Sequence, residues 1–253
     1  MRAGLGEVTV TLRRVGRRSV PCRNALATSQ TGAPRVAPPP SKWEVPAARP
    51  LAQTGVSMSA RLNRPVCLIV DDFLDDPDAV RRVALAQRFV KMHSAGLRTV
   101  ESFLHLAPYK QAFERLLGRA VTNFDDNAAN GRFQLCTAAD AIPYHSDSQS
   151  YAGVLFLTPG APLDAGLSFF RSRRSGMRGR CSDPELMAQT FGRGAEFDRS
   201  CWEEVDRVAN LYNRLVLFDP YLAHGATAYF GTGLEDGRLF QNFFFNVVGD
   251  ETR

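Results

Sequence analysis

Tyr144-His145-Ser146-Asp147-Ser148-Gln149-Ser150-Tyr151-Ala152-Gly153-Val154-Leu155-Phe156-Leu157-Thr158-Pro159 is the stretch on which the reading of this chain turns. Its second half is an apolar run closed by proline, which reads as a buried strand over 151–157. Its first half places a histidine and an aspartate two residues apart just before that strand. In extended backbone, residues i and i+2 point to the same side, so His145 and Asp147 can face one interior point. Runs of the same texture recur at 131–136, 167–171, 215–218 and 239–248, each short and bounded by Gly, Pro, Asp or Asn. Helical insertions are expected at about 183–191 and 199–211. In the second, Trp202, Val205, Val208, Ala209 and Tyr212 recur at helical spacing. The pattern suits a mainly β fold, a small barrel or jelly roll with flanking α-helices.

Upstream, 66–70 reads as a further buried strand. Asp76 before Pro77 supplies an N-cap acceptor and then proline at the first helical position, so a helix is expected from there through about Met92. The acids at Asp75, Asp76 and Asp78 are accounted for by capping and the helix dipole. A second helix is expected over 108–117, with Phe113, Leu116 and Leu117 inward.

The chemistry-bearing residues extend beyond the opening stretch. His224 lies 77 positions after Asp147, in Asp219-Pro220-Tyr221-Leu222-Ala223-His224-Gly225, directly after the apolar run 215–218. Two histidines and a carboxylate make a facial triad, the donor set of non-haem iron oxygenases. Three protein ligands fill one face of an octahedron and leave three positions for a chelating cosubstrate and O2. Arg238 opens the final aromatic run Leu239-Phe240-Gln241-Asn242-Phe243-Phe244-Phe245. Its planar fork pairs two-pronged with a carboxylate. Gln134 and Asn242 flank the same region, where contact with substrate and pairing within the core are both open. His93 and His105 read as helix surface or satisfied core.

A His-x-Asp pair alone is weak, but the ordered set is not. Taken together, the pair before a strand, a strand ending in phenylalanine, His224-Gly225, and Gly237-Arg238 entering a last aromatic strand resemble the 2-oxoglutarate/Fe(II) dioxygenase superfamily. The likeness is to its prolyl-4-hydroxylase-like branch, and to bacterial and phage-type members carrying a segment similar to Asn213-Arg214-Leu215-Val216-Leu217-Phe218. It covers about 130–248 and, more loosely, 64–130. The resemblance implies a double-stranded β-helix (jelly roll), Fe(II) at His145, Asp147 and His224, and 2-oxoglutarate as cosubstrate at Arg238. The implied reaction is hydroxylation of an unactivated C–H bond with O2, releasing succinate and CO2 from a small-molecule or peptidyl substrate. Phe240 departs from the pattern, standing where many relatives have serine. Another hydroxyl, Tyr144, Tyr151 or Ser168, is then expected to assist Arg238, with Tyr144 placed at the cosubstrate. Two other readings stay open: a cupin-like zinc or manganese barrel acting as hydrolase or isomerase, and a non-enzymatic binding module on the same fold.

Arg171-Ser172-Arg173-Arg174-Ser175-Gly176-Met177-Arg178-Gly179-Arg180 leaves the strand at 167–171 as a mobile, strongly positive loop. It reads as a solvated loop, with a lid over an anionic or carrier-bound substrate as the functional alternative.

Charge is unevenly distributed over the 253 residues. Of 31 Lys and Arg, nine fall between Met1 and Pro50, against two of the 26 acids; this leaves 22 basic and 24 acidic residues beyond it. The pI of 9.1 therefore belongs to the leader, and specific nucleic-acid binding is not expected of the body. Residues 1–60, with Arg13, Arg14, Arg17 and Arg18 followed by Pro34, Pro38, Pro39 and Pro40, lack a hydrophobic period and are expected to be a disordered basic, proline-rich leader. A tail, an extension upstream of Met58 and an organelle transit peptide all fit that composition. A single domain is expected over 61–253. Cys22, Cys67, Cys136, Cys181 and Cys201 match no zinc or disulfide spacing, and no apolar run approaches a membrane span, so a soluble cytoplasmic protein is expected. A chain beginning at Met58 should keep the melting temperature and metal binding of the full chain. A loss of more than a few degrees would show that the leader docks on the domain.

Overall fold

The structure, a computed structural model, describes residues 66–92, 95–192 and 194–250. The expected leader 1–60, the domain boundary at 61 and His93 lie outside the described residues.

The last apolar run forms the longest strand, β11 (Arg238–Val247), which is buried along nearly its whole length. Such a strand needs partners on both edges and cover on both faces. Its edges are met in an eight-stranded antiparallel sheet ordered β1 (Cys67–Val70), β9 (Leu215–Phe218), β6 (Tyr151–Phe156), β11, β5 (Phe133–Cys136), β3 (Leu97–Thr99) and β2 (Phe89–Val90). The two-residue β4 (Val121–Thr122) pairs with the end of β11. A second sheet holds β10 (His224–Ala226), β7 (Leu167–Ser172) and β8 (Trp202–Val208), in that order.

The two faces of the large sheet have different cover. On one, Leu155, Leu215, Leu217, Leu239, Phe243 and Phe245 pack beneath α1 (Pro77–Leu85) and α2 (Tyr109–Leu117). Phe113 of α2 is fully buried and meets Phe243 and Phe245 at ring distances of 5.0 and 5.1 Å. On the other face, Val154, Phe156, Val216, Phe218 and Phe240 meet Leu167, Phe169 and Val208 of the small sheet. Two antiparallel sheets face to face, with helices outside the larger, make a jelly roll. Among the described residues no helix is long and apolar enough to cross a membrane.

Local signals explain several elements. Asp76 caps α1 by accepting from the Ala79 N–H at 2.8 Å, with Pro77 at the first position. The helix stops at Leu85, short of the expected Met92, because Phe89 and Val90 pair with β3 as β2. In α2, Phe113 points inward as expected and Leu117 is partly buried against the core, but Leu116 is exposed; Tyr109 and Ala112 complete the buried face. The helix expected at 183–191 is α3 (Pro184–Phe191), capped by Asp183.

The helix expected over 199–211 is instead largely β8. Its pairing with β7 skips one residue: Phe170 faces Glu204 while Phe169 faces Asp206, which leaves Val205 as a bulge. The extra residue inverts the alternation, so Trp202 packs on the outer side with Phe170 and Val208 on the inner side with Leu167. That inversion removes the period of two and leaves a spacing that imitates a helix.

Asn213 clamps the start of the domain to β9. It holds φ 62°, in the left-handed region, while its amide accepts from the Leu74 N–H at 2.9 Å and donates to the Leu74 carbonyl at 2.8 Å. Asn213→Ala should lose about 2–4 kcal/mol, from two buried hydrogen bonds and a strained backbone. Asn213→Gly should recover only the backbone part. Identical urea midpoints for the two variants would show that the left-handed backbone contributes nothing.

Candidate metal centre

His224 is held in a strand, β10. β10 pairs with β7, placing His224 opposite Phe169. On its other side His224 exchanges backbone hydrogen bonds with His145, at 2.9 and 3.1 Å, and the Asp147 N–H donates to the Pro220 carbonyl at 2.8 Å. This short ladder brings together the three residues singled out in the sequence. The imidazole rings lie 4.4 Å apart, and Asp147 Oδ2 sits 3.7 Å from His145 Nε2 and 3.6 Å from His224 Nε2. One donor atom from each residue falls within 4.8 Å of the others, the spacing of groups that can share a metal ion.

Both rings are oriented by backbone. His224 Nδ1 lies 2.8 Å from the Leu222 carbonyl and His145 Nδ1 lies 3.4 Å from the Pro143 carbonyl. With Nδ1–H donating there, each Nε2 lone pair turns toward the carboxylate. Desolvation, and then the neighbouring His224, push His145 down to about 4, so its ring is neutral near pH 7. Desolvation raises Asp147, but its polar neighbours His224, His145 and Arg180 outweigh that and hold it below the usual carboxylate value. Two imidazole nitrogens and one carboxylate form a mixed N/O set suited to a divalent first-row metal.

The cluster opens on a cavity of about 440 Å³ between the two sheets. Arg238 lines it and is only 3% exposed. Its Nε and Nη2 donate to the Ala165 and Gly166 carbonyls, each at 3.2 Å. Its guanidinium lies over Phe240, Phe156 and Tyr229, at 4.3, 5.3 and 5.8 Å from the ring centres. No carboxylate pairs with it among the described residues. Burial lowers its pKa, with Tyr229 and Cys136 acting in the opposite sense.

Tyr144 is not among the cavity-lining residues. Its ring meets Phe170 edge-on at 5.0 Å and stacks on Trp202 at 6.1 Å, in the cluster outside the small sheet. The alternation that turns His145 inward turns its neighbour outward. Tyr151 belongs to the core beneath the helices, and Ser168 shares a 2.6 Å hydrogen bond with Thr227. The tyrosine near Arg238 is Tyr229, whose ring centre lies 5.8 Å from the guanidinium and whose pKa is raised by burial and by the Cys136 thiol it hydrogen-bonds. Sequence reasoning missed Tyr229 because it lies in an irregular connection with no period; its aromatic character between His224 and Arg238 was the available signal. Gln134 and Asn242 pair with each other, Asn242 Nδ2 donating to Gln134 Oε1 at 2.7 Å, and both also line the cavity.

The arginine-rich stretch is fastened by its backbone to the segment bearing His224. Ala223 N–H donates to the Arg178 carbonyl at 2.7 Å, Arg180 N–H donates to the Tyr221 carbonyl at 2.8 Å, and Gly179 bridges to Leu222. A Cβ at Gly179 would stand 2.3 Å from the Tyr221 oxygen, so this approach requires glycine.

No protein-family model matches the chain, and no curated protein matches it in sequence. Among solved structures, HygX from Streptomyces hygroscopicus with nickel and 2-oxoglutarate bound is similar at TM-score 0.48 and 12% identity, over 73% of this chain and 84% of that one. The same protein with iron bound gives 0.45 and 12%, over 73% and 83%. The Fe(II)/(alpha)ketoglutarate-dependent dioxygenase TqaL gives 0.35 and 12%, over 72% and 82%. At such scores the likeness carries no weight beside the geometry of His145, Asp147, His224 and Arg238.

Proposed function

We propose that the chain is a 2-oxoglutarate-dependent oxygenase in which His145, Asp147 and His224 hold Fe(II) and Arg238 holds the distal carboxylate of 2-oxoglutarate. The observation that carries this reading is the buried, unpaired Arg238 in the wall of the cavity that also contains the triad. A cation out of water with only carbonyl partners is costly, and a carboxylate ligand offsets that cost. A barrel whose metal served hydrolysis or isomerisation would leave this guanidinium without a counter-ion.

The donor set fits the metal. His145 and His224 present Nε2 because their Nδ1 atoms are engaged by backbone carbonyls, and Asp147 is held ionised beside them. The carboxylate also reduces the positive charge that the ion would bring into the cavity. Val154, Leu167, Phe218 and Phe240 make the cavity walls apolar around it, which limits access of bulk water to the reacting centre. Tyr229, beside Arg238, is placed to donate to the same carboxylate. Iron and 2-oxoglutarate, when bound, supply O2 activation and the two-electron oxidation of a C–H bond, with succinate and CO2 as co-products. Hydroxylation of a small-molecule or peptidyl substrate is the outcome favoured by the sequence likeness to the prolyl-4-hydroxylase-like branch. A reducing cytoplasmic setting suits Fe(II) and the free thiols of Cys67, Cys136, Cys181 and Cys201.

Under anaerobic conditions, Fe(II) with 2-oxoglutarate should produce the visible charge-transfer band of a chelated 2-oxo acid, and His145→Ala or His224→Ala should abolish it. Arg238→Ala should keep iron but weaken 2-oxoglutarate by about 1.5–3 kcal/mol. Zinc or manganese bound without any response to 2-oxoglutarate would favour the hydrolase or isomerase reading, and no metal binding at all the non-enzymatic one. A further variant tests the ladder that assembles the triad. A Cβ at Gly225 would stand 2.8 Å from the Pro143 carbonyl, so Gly225→Ala should separate His224 from His145. Ni(II) affinity should fall roughly 10–100-fold, as for other changes behind a metal ligand; unchanged affinity would show that the ladder does not set the ligand positions.

A further inference from the structure

Arg238 is not the only arginine in the cavity wall. Arg98 projects from β3, opposite Gln134 of β5 in the sheet register, and lines the cavity containing the triad. It also borders a neighbouring hollow of about 310 Å³, whose other walls are Met92, Ala128, Ala129 and Arg132. One guanidinium therefore stands where two spaces meet.

Its orientation is set by a short polar chain. Arg98 Nε donates to Gln134 Oε1 at 2.9 Å, the same oxygen accepts from Asn242 Nδ2 at 2.7 Å, and Gln134 Nε2 donates to the Ala95 carbonyl at 3.0 Å. The Gln134 amide is thus fully engaged and holds the guanidinium by one edge. The two terminal nitrogens make no hydrogen bond or ion pair among the described residues. Burial lowers the Arg98 pKa, and Asp147 attracts it without reaching ion-pair distance.

The carboxylates that might have neutralised this corner are otherwise engaged. Asp140 accepts from Thr137 and Gly96 and pairs with Lys91 at 3.7 Å. Asp147 belongs to the triad, and Glu196, the other acid on the cavity wall, is exposed and forms no ion pair with Arg98. Across the second hollow stands another cation, Arg132, whose guanidinium donates to the carbonyls of Thr99, Val100 and Ala128 and meets no acid. The result is a half-buried positive corner with free donors.

We infer that the substrate carries an anionic group, a carboxylate or a phosphate, which Arg98 grips at the junction of the two spaces with Arg132 behind it. This rests on the oxygenase reading in taking the triad as the point where the substrate reacts. A separate anion is inferred because the two guanidiniums are held by different partners, Gln134 for Arg98 and the Ala165 and Gly166 carbonyls for Arg238, although Tyr229 and Cys136 act on both. Arg238 reaches toward Ala165 and Gly166 of the facing side, whereas Arg98 starts two strands away, roughly 10 Å across the sheet, and borders the second hollow. A neutral substrate would leave Arg98 desolvated and unpaired. The apolar part of the cavity wall, Phe240, Val154 and Phe218, accommodates the uncharged part of the molecule over the metal centre.

The test uses the full chain, metal-free, with phenyl phosphate, benzoate and neutral benzyl alcohol as probes in ligand-observed NMR titrations. Each probe is titrated with and without saturating 2-oxoglutarate. Wild type should bind at least one of the two anions roughly tenfold or more tighter than the alcohol, as expected of a charge-assisted contact. The better anion identifies the group. With 2-oxoglutarate saturating, so that Arg238 is occupied, that preference should persist in wild type, disappear in Arg98→Gln and be retained in part by Arg98→Lys, all at unchanged melting temperature. An absent preference in wild type, a preference untouched by Arg98→Gln, or one removed by 2-oxoglutarate would overturn the inference. An Arg98-dependent preference in a protein that gives no Fe(II)/2-oxoglutarate band would leave the anion site standing and remove only the oxygenase reading.

Discussion

Burial of one strand on both faces is the constraint from which the rest follows. Along β11, side chains alternate strictly: Leu239, Phe243 and Phe245 enter the core beneath α1 and α2, while Arg238, Phe240, Asn242 and Phe244 face the cavity. Gln241 falls on the core side and is fully buried. There it accepts from the Tyr109 hydroxyl at 2.8 Å and donates to the Gly131 carbonyl at 2.9 Å. A slip of one residue would exchange the sets, putting a guanidinium among phenylalanines and a phenylalanine ring where the cation is needed. Register of β11 against β5 and β6 is therefore the same thing as construction of the site. Packing of Phe113 on Phe243 and Phe245 stabilises that register from outside the cavity.

The triad depends on a second, smaller ladder. His145 and Asp147 lie outside any extended strand, and it is hydrogen bonding to Pro220 and His224 that aligns them. The segment Tyr221–His224 is in turn held between this ladder and the arginine-rich stretch, through Arg178, Gly179 and Arg180. The positive stretch thus buttresses the backbone that carries His224. Its charge also reaches the centre directly, since Arg180 helps keep Asp147 ionised.

Two arginines line the cavity that holds the triad. Arg238 at 3% exposure and the half-buried Arg98 lack acidic partners among the described residues, whereas the exposed Arg171 and Arg207 have them, in Glu203 and Glu204. Ion pairing is thus present where solvent makes it worth little and missing where burial makes it matter. On the proposed reading, the counter-ions of these two interior cations arrive with ligands.

Much of this was legible in the sequence. Short apolar runs bounded by turn residues mark β5, β6, β7, β9 and β11, because a strand covered on both faces is apolar along most of its length. His145 and Asp147 could be paired from their spacing alone, and His224 and Arg238 added from their order along the chain. Other features depend on what lies across space. A bulge at Val205 erased the alternation of β8 and left a helical imitation. The choice of Tyr229 over Tyr144 beside Arg238 turned on which side of the sheets each ring falls, information carried by pairing and not by composition. Arg98, on a three-residue strand with no pattern of its own, became part of the cavity only when β3 docked on β5. Sequence by itself determined the alternation and the donor types, since these are properties of one residue and its near neighbours. Tertiary structure alone decided which donors share a cavity and which cations lack a partner, because both depend on neighbours brought together from distant points of the chain.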